Sequence, residues 1–126
     1  GRKNGALISM ATGKAVAFAI FNLQARGEMF VTHNDPVYEG MIVGLAPKPG
    51  DMIINVMKGK QLTNMRTQGT DENVVLTPVR QMSIAEQLSM LNTDEALEIT
   101  PKSLRLRKAI LNPNDRKKNE KSSTPL

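Results

Sequence analysis

The sequence predicts a small α+β domain that is mainly β: a barrel-like or sandwich-like arrangement of short strands with one clear α-helix and a basic C-terminal tail. Three observations carry this. Short apolar runs recur at close spacing through residue 57, separated by turn residues. One capping-box signature stands at Ser83–Glu86. The charge is uneven: residues 1–99 hold 9 Lys/Arg against 10 Asp/Glu, whereas residues 100–126 hold 8 against 2.

The first expected strand is Ala6–Met10. Ala15–Ile20 alternates small and large side chains with period two, so Val16, Phe18 and Ile20 are expected on one sheet face. Thr12-Gly13-Lys14 is expected to turn between these two runs as a hairpin. Met29–Val31, Met41–Val43 and Met52–Val56 are further candidate strands. Asn34-Asp35-Pro36 and Pro47–Asp51 supply the turn chemistry between them.

Residues 58–73 differ. They are polar, hold two glycines and follow no helical or strand period, which predicts a long functional loop, mobile in the isolated domain. A strand is expected to resume at Val74–Leu76. In the capping box, Ser83 and Glu86 satisfy each other's backbone amides, and Ile84, Leu88 and Leu91 follow as an apolar stripe. Asn92 is the expected stop. Leu97–Thr100 and Ser103–Lys108 flank Pro101. In the second, Leu104 and Leu106 alternate with Arg105 and Arg107, the pattern of an edge strand with one basic face. Residues 1–112 are therefore expected to form the domain and 113–126 a basic, partly disordered tail. Asp115–Lys121 is compatible with a short helix. The opening Gly1-Arg2-Lys3-Asn4 has no initiator Met and no signal-peptide pattern, so a fragment of a longer protein is expected.

Composition excludes several chemistries. With no cysteine, neither a disulfide framework nor a thiolate metal site can form. No apolar run approaches the roughly 20 residues that span a bilayer. A phosphate-cradling Walker loop is missing: Gly13-Lys14 is followed by Ala15, and Ile8 stands where the first glycine belongs. The one histidine, His33, lies in a turn-like segment, which favours solvation over catalysis or zinc binding. Asp71-Glu72 and Asp94-Glu95 are adjacent carboxylates, and neighbours in sequence rarely converge on one substrate atom. Asp94-Glu95 is expected to favour a helix start instead. These features argue against an enzyme and against metal or cofactor binding by these residues.

Nucleic-acid binding fits better. Aromatic residues are few, and Phe18, Phe21 and Phe30 read as core. Any RNA contact should then rely on basic and backbone groups at phosphates, with recognition by shape. The candidates are Lys58, Lys60 and Arg66 in the loop, with Lys102, Arg105, Arg107, Lys108, Arg116, Lys117 and Lys118 towards the C-terminus. The bland alternatives are a mobile hairpin and a solvated tail.

Four segments carry a family resemblance. Gly13–Ala19 with Leu23–Gly27, Val37–Gly44, Gly59–Arg66 with Gly69–Glu72, and Thr100-Pro101 with Leu104–Lys108, Leu111 and Arg116 together resemble the C-terminal domain of the BipA (TypA) family of translational GTPases. The match runs in order over nearly the whole chain. Leu62-Thr63-Asn64-Met65-Arg66 followed by Gly69-Thr70-Asp71-Glu72 is its most specific part. Asn22 stands where the family favours Gly, and Gln61 where it often has Lys, which removes one positive charge from the loop.

The resemblance implies a cytoplasmic, ribosome-associated and non-catalytic module. GTP and Mg²⁺ would belong to the GTPase domain of the parent protein, which acts in translation, ribosome assembly and stress response. The implied partners are the rRNA of the large ribosomal subunit and the acceptor end of A-site tRNA. No membrane is involved, and the fragment is expected to be monomeric. Lys60, Thr63, Asn64 and Arg66 are the implied contacts near the tRNA. The competing readings are a protein–protein adaptor with an incidental basic tail and a nucleotide-binding fragment.

Overall fold

A computed structural model describes residues 2–58, 75–79, 82–99 and 104–123, with side chains described through residue 118. In chain order the elements are β1 (Ala6–Ser9), β2 (Gly13–Lys14), α1 (Ala17–Gln24), β3 (Glu28–Met29), β4 (Pro36–Val37), β5 (Ile42–Leu45), β6 (Met52–Ile54), α2 (Ile84–Met90), β7 (Glu95–Ile99), β8 (Leu104–Lys108) and α3 (Pro113–Ser123). The central sheet has the order β3-β5-β1-β6, with β1 antiparallel to β5 and parallel to β6. Two smaller antiparallel ribbons, β2–β4 and β7–β8, and an isolated antiparallel bridge between Met41 and Arg107 make up the rest of the β structure among the described residues.

Every residue of β1 is buried, so the sheet is covered on both faces at β1. The strand period then divides its side chains between two cores. Leu7 joins Ile20, Val43 and Val56 on the face towards α1. Ala6 and Ile8 join Ile42 and Leu106 on the face towards the β7–β8 ribbon. Burying apolar surface on both sides supplies the main driving force, at roughly 25 cal/mol per Å². The result is layered rather than closed, the sandwich-like form of the expected fold; no barrel closes among the described residues.

Several local expectations are corrected. Residues 17–24 are helical, not extended. Val16, Ile20 and Leu23 are spaced i, i+4 and i+7, so this segment satisfied helical periodicity as well as period two, and the alanines favour a helix. The expected hairpin between Ala6–Met10 and the next run does not form. Both edges of β1 are occupied by β5 and β6, and β2 pairs instead with β4, Gly13 opposite Val37. Val75 and Leu76 are described but belong to no strand, and Val74 lies outside the described residues. Phe21 is exposed rather than core.

The capping box forms as expected. The Glu86 amide donates to Ser83 Oγ at 3.2 Å, and the Ser83 amide to Glu86 Oε1 at 3.3 Å. The stripe does not point inward: Ile84 and Leu88 are exposed, while Gln87 is buried and donates to the Met82 carbonyl. The helix ends at Met90, so Leu91 packs on the second core from an extended residue rather than from a third helical turn. Ser83→Ala is expected to cost about 1 kcal/mol. Urea unfolding checks this; an unchanged midpoint would show that the box adds nothing.

The C-terminal segment carries a helix where Asp115–Lys121 was compatible with one. Pro113 opens α3, and Asn112 Oδ1 accepts the amides of Asn114 at 2.8 Å and Asp115 at 3.2 Å. Residues 124–126 lie outside the described residues.

Candidate nucleic-acid interface

The basic side chains singled out from sequence fall in four places. Lys58 is exposed and closes the segment after β6, whereas Lys60, Thr63, Asn64, Arg66 and Lys102 lie outside the described residues. The segments on either side of residues 59–74 are both tied to α1. The Val16 amide, just before the helix, donates to the Val56 carbonyl at 2.9 Å. At its last residue, the Gln24 amide group donates to the Thr77 carbonyl at 2.7 Å and accepts the Thr77 amide at 2.9 Å. The eight-residue helix, about 12 Å long at 1.5 Å per residue, thus holds the two flanks at opposite ends.

The second place is the β7–β8 ribbon. Leu106 and Lys108 are buried, so the strand period turns Arg105 and Arg107 outward. The Arg105 guanidinium lies 5.9 Å from the centre of the Tyr38 ring. The Tyr38 hydroxyl donates to Glu98 Oε1 at 3.0 Å. Burial, then the bond to Glu98, pushes the Tyr38 hydroxyl up to about 12, so it stays a donor at neutral pH. Arg107 donates through Nη1 to the carbonyls of Lys108 at 3.1 Å and Ala109 at 3.3 Å.

Lys108 is the third place, and it corrects the expectation of a solvent-facing contact. Its ammonium is buried and donates to Asp94 at 2.9 Å and Glu95 at 2.8 Å, and it pairs with Asp51. Glu95 also receives both ends of the Arg2 guanidinium and the Asn92 amide. Glu95 opens β7 rather than a helix. Burial opposes the charge on Lys108, but the bonds to Asp51, Asp94 and Glu95 outweigh it and raise its pKa. Burial likewise works against an ionised Glu95, yet the bonds from Arg2, Lys108 and Asn92 bring it down to about 2. This cluster pins the ribbon to the sheet, because Asp51 also accepts the Ala6 amide at the start of β1.

Fourth, Arg116 on α3 donates to the carbonyls of Ile110 at 3.1 Å and Leu111 at 2.6 Å. It acts as a cap on the segment joining β8 to α3, leaving Lys117 and Lys118 as the exposed basic side chains there. The structure therefore separates the basic candidates. Lys108 and Arg116 are structural, Arg105 and Arg107 share an outer face, and Lys117 and Lys118 lie on a helix.

The Glu95 cluster sets an acid limit. Glu95 has an ordinary value of 4.5 and is lowered to about 2 in the fold. Its ionised form is favoured by folding, so this contribution is fully present above about pH 4.5 and is lost as pH falls towards 2. Unfolding midpoints are expected to drop across that window, and Glu95→Gln to flatten the drop. An unchanged acid limb in the variant would contradict this.

His33 is exposed in a turn next to Asn34, whose φ is 71°. Among the described residues no group of three His, Cys, Asp or Glu side chains could hold a metal ion; Asp51, Asp94 and Glu95 converge on the Lys108 ammonium instead. No helix among the described residues is long and apolar enough to cross a membrane.

Residues 4–113 match the family described as the TypA/BipA C-terminal domain. The "Large ribosomal subunit assembly factor BipA" of Buchnera aphidicola subsp. Schizaphis graminum is 53% identical over 125 residues, covering 99% of this chain and 20% of the relative. The protein of the same name from Salmonella typhimurium is 50% identical over 117 residues, covering 93% of this chain and 19% of the relative. The chain thus spans about a fifth of the length of these curated relatives.

Proposed function

The chain belongs to the TypA/BipA C-terminal domain family, and on that premise we propose that it is a non-catalytic module that binds the large ribosomal subunit. The carrying observation is the 53% identity, over 99% of the chain, to a protein named for large-subunit assembly. On this reading it acts in the cytoplasm, and GTP with Mg²⁺ belongs to other domains of a longer protein. The missing Walker pattern supports that division of labour.

The finer proposal places the module in the A site, with residues 58–73 approaching the acceptor end of tRNA. Lys58, Lys60, Thr63, Asn64 and Arg66 would make the contacts. Two features support it: these residues are polar and basic, and both flanks of the segment are held by α1. The basic residues would neutralise phosphates and release counterions. Arg66 would matter more than Lys60, because a guanidinium offers a bidentate fork where an ammonium offers a point charge.

The test is the affinity for purified large subunits at several salt concentrations. Lys60→Ala and Arg66→Ala are each expected to reduce the salt slope by about one unit. Stability should change by less than about 0.5 kcal/mol, as for ordinary surface changes. Wild-type slopes in both variants would remove these residues from the interface.

A further inference from the structure

We propose that Arg105 and Arg107 form a phosphodiester-binding site on the outer face of the β7–β8 ribbon, and that Glu98 is the fixed internal anion that opposes an incoming phosphate. This rests on the RNA-binding reading above and deepens it by assigning a site and a residue that sets its affinity.

The ribbon register decides the charge on this face. Glu98 stands opposite Arg105, and Ala96 stands opposite Arg107. One carboxylate therefore faces two guanidinium groups. Among the described residues Arg107 pairs with no carboxylate; its bonds go to the carbonyls of Lys108 and Ala109. Those two bonds use Nη1 alone and fix the orientation of the fork, so little side-chain entropy is left to lose on binding. Such a fixed fork suits bidentate recognition of phosphate.

Arg105 lies between the Tyr38 ring, 5.9 Å from its centre, and its acid partner Glu98. Its nitrogen lies 3.9 Å from Glu98 Oε1, too far for a hydrogen bond. The same Oε1 already accepts from Tyr38 at 3.0 Å. Glu98 thus neutralises Arg105 only partly while remaining tethered beside it. A phosphate approaching the pair meets the Nε–Nη2 edge of Arg107 (whose Nη1 alone is used by the carbonyls), the Arg105 guanidinium and one fixed negative charge. Same-face residues on a strand stand about 7 Å apart, so both forks can address one stretch of nucleic-acid backbone. Glu98 becomes the residue that tunes the affinity, because removing its charge removes the only repulsive element among the described groups of this face.

The experiment compares the 126-residue chain with Arg107→Ala and Glu98→Gln, using two probes: a uridine octamer and purified large ribosomal subunits. Melting midpoints show that each variant is folded, and the near-isosteric Glu98→Gln keeps the test informative if Arg107→Ala is unstable. Arg107→Ala is expected to weaken octamer binding by about three- to tenfold and lower the salt slope by about one unit. Glu98→Gln is expected to strengthen it by a similar factor. The Nε–Hε resonance of Arg107 should shift on adding octamer. Failure of the two readings is distinguishable. Octamer binding with these effects, but no subunit binding, would keep this site and remove the ribosomal assignment. Subunit binding that is equal in all three proteins, with no Arg107 shift, would keep the ribosomal assignment and overturn this site.

Discussion

Lys108→Met is expected to lower the unfolding free energy by about 3 kcal/mol, the lower end of what breaking a buried ion pair costs. Methionine matches the aliphatic stem but leaves three carboxylates without their shared ammonium. Two of them escape part of the penalty: the side chains of Asp51 and Asp94 are 39% and 58% exposed and can turn to water. Glu95 cannot, with a side chain at 0% exposure, but it keeps both bonds to Arg2. The loss is therefore large without being total. Denaturant unfolding measures it, with Lys117→Met as an exposed control expected to stay within about 0.5 kcal/mol. If Lys108→Met leaves stability unchanged, the ribbon is not pinned by this cluster.

Gly40→Ala is expected to destabilise the fold by about 2–4 kcal/mol, from backbone strain and overpacking together. Gly40 has φ +90°, a conformation that side chains rarely adopt. An added Cβ would stand 2.7 Å from both Cα and Cδ2 of Leu111, so the segment after β8 would have to move. That segment cannot move freely, because the Lys108 amide donates to the Gly40 carbonyl at 2.9 Å. Gly40 thus ties the end of β8 to the segment leading into β5 through backbone. The check is the unfolding midpoint, together with amide exchange at Lys108. A midpoint equal to that of the native chain would show that the approach is looser than described.

The two substitutions act on one joint, and the joint explains what sequence alone could and could not show. Several of the short strands and the Ser83–Glu86 box were legible because each is written in residues close along the chain. The identity of residues 17–24 was not, since the same side chains satisfy both a two-residue and a helical period; the outcome was decided by the sheet face that Ile20 covers. Lys108 was misplaced for a different reason. Alternation through Leu104–Lys108 puts Lys108 on the face of the leucines, a signal present in the sequence. Its positive charge outweighed that signal because its partners Asp51, Asp94 and Glu95 are remote or were read as a helix start. Long-range charge pairing leaves no local periodicity. The alternation that sets Arg105 and Arg107 on the face opposite Leu106 was, by contrast, legible from spacing alone. The contacts expected at Lys60, Thr63, Asn64, Arg66 and Lys102 lie outside the described residues and rest on sequence and resemblance.

The most direct test of a ribosome-binding module is co-sedimentation of this chain with purified large and small ribosomal subunits across a salt series. The chain is expected to sediment with the large subunit. Its logarithmic affinity should fall linearly with logarithmic salt, at close to one unit of slope for each neutralised phosphate. Labelled GTP should not be retained by the chain. Sedimentation with neither subunit at low salt, or salt-independent binding to both, would contradict the assignment.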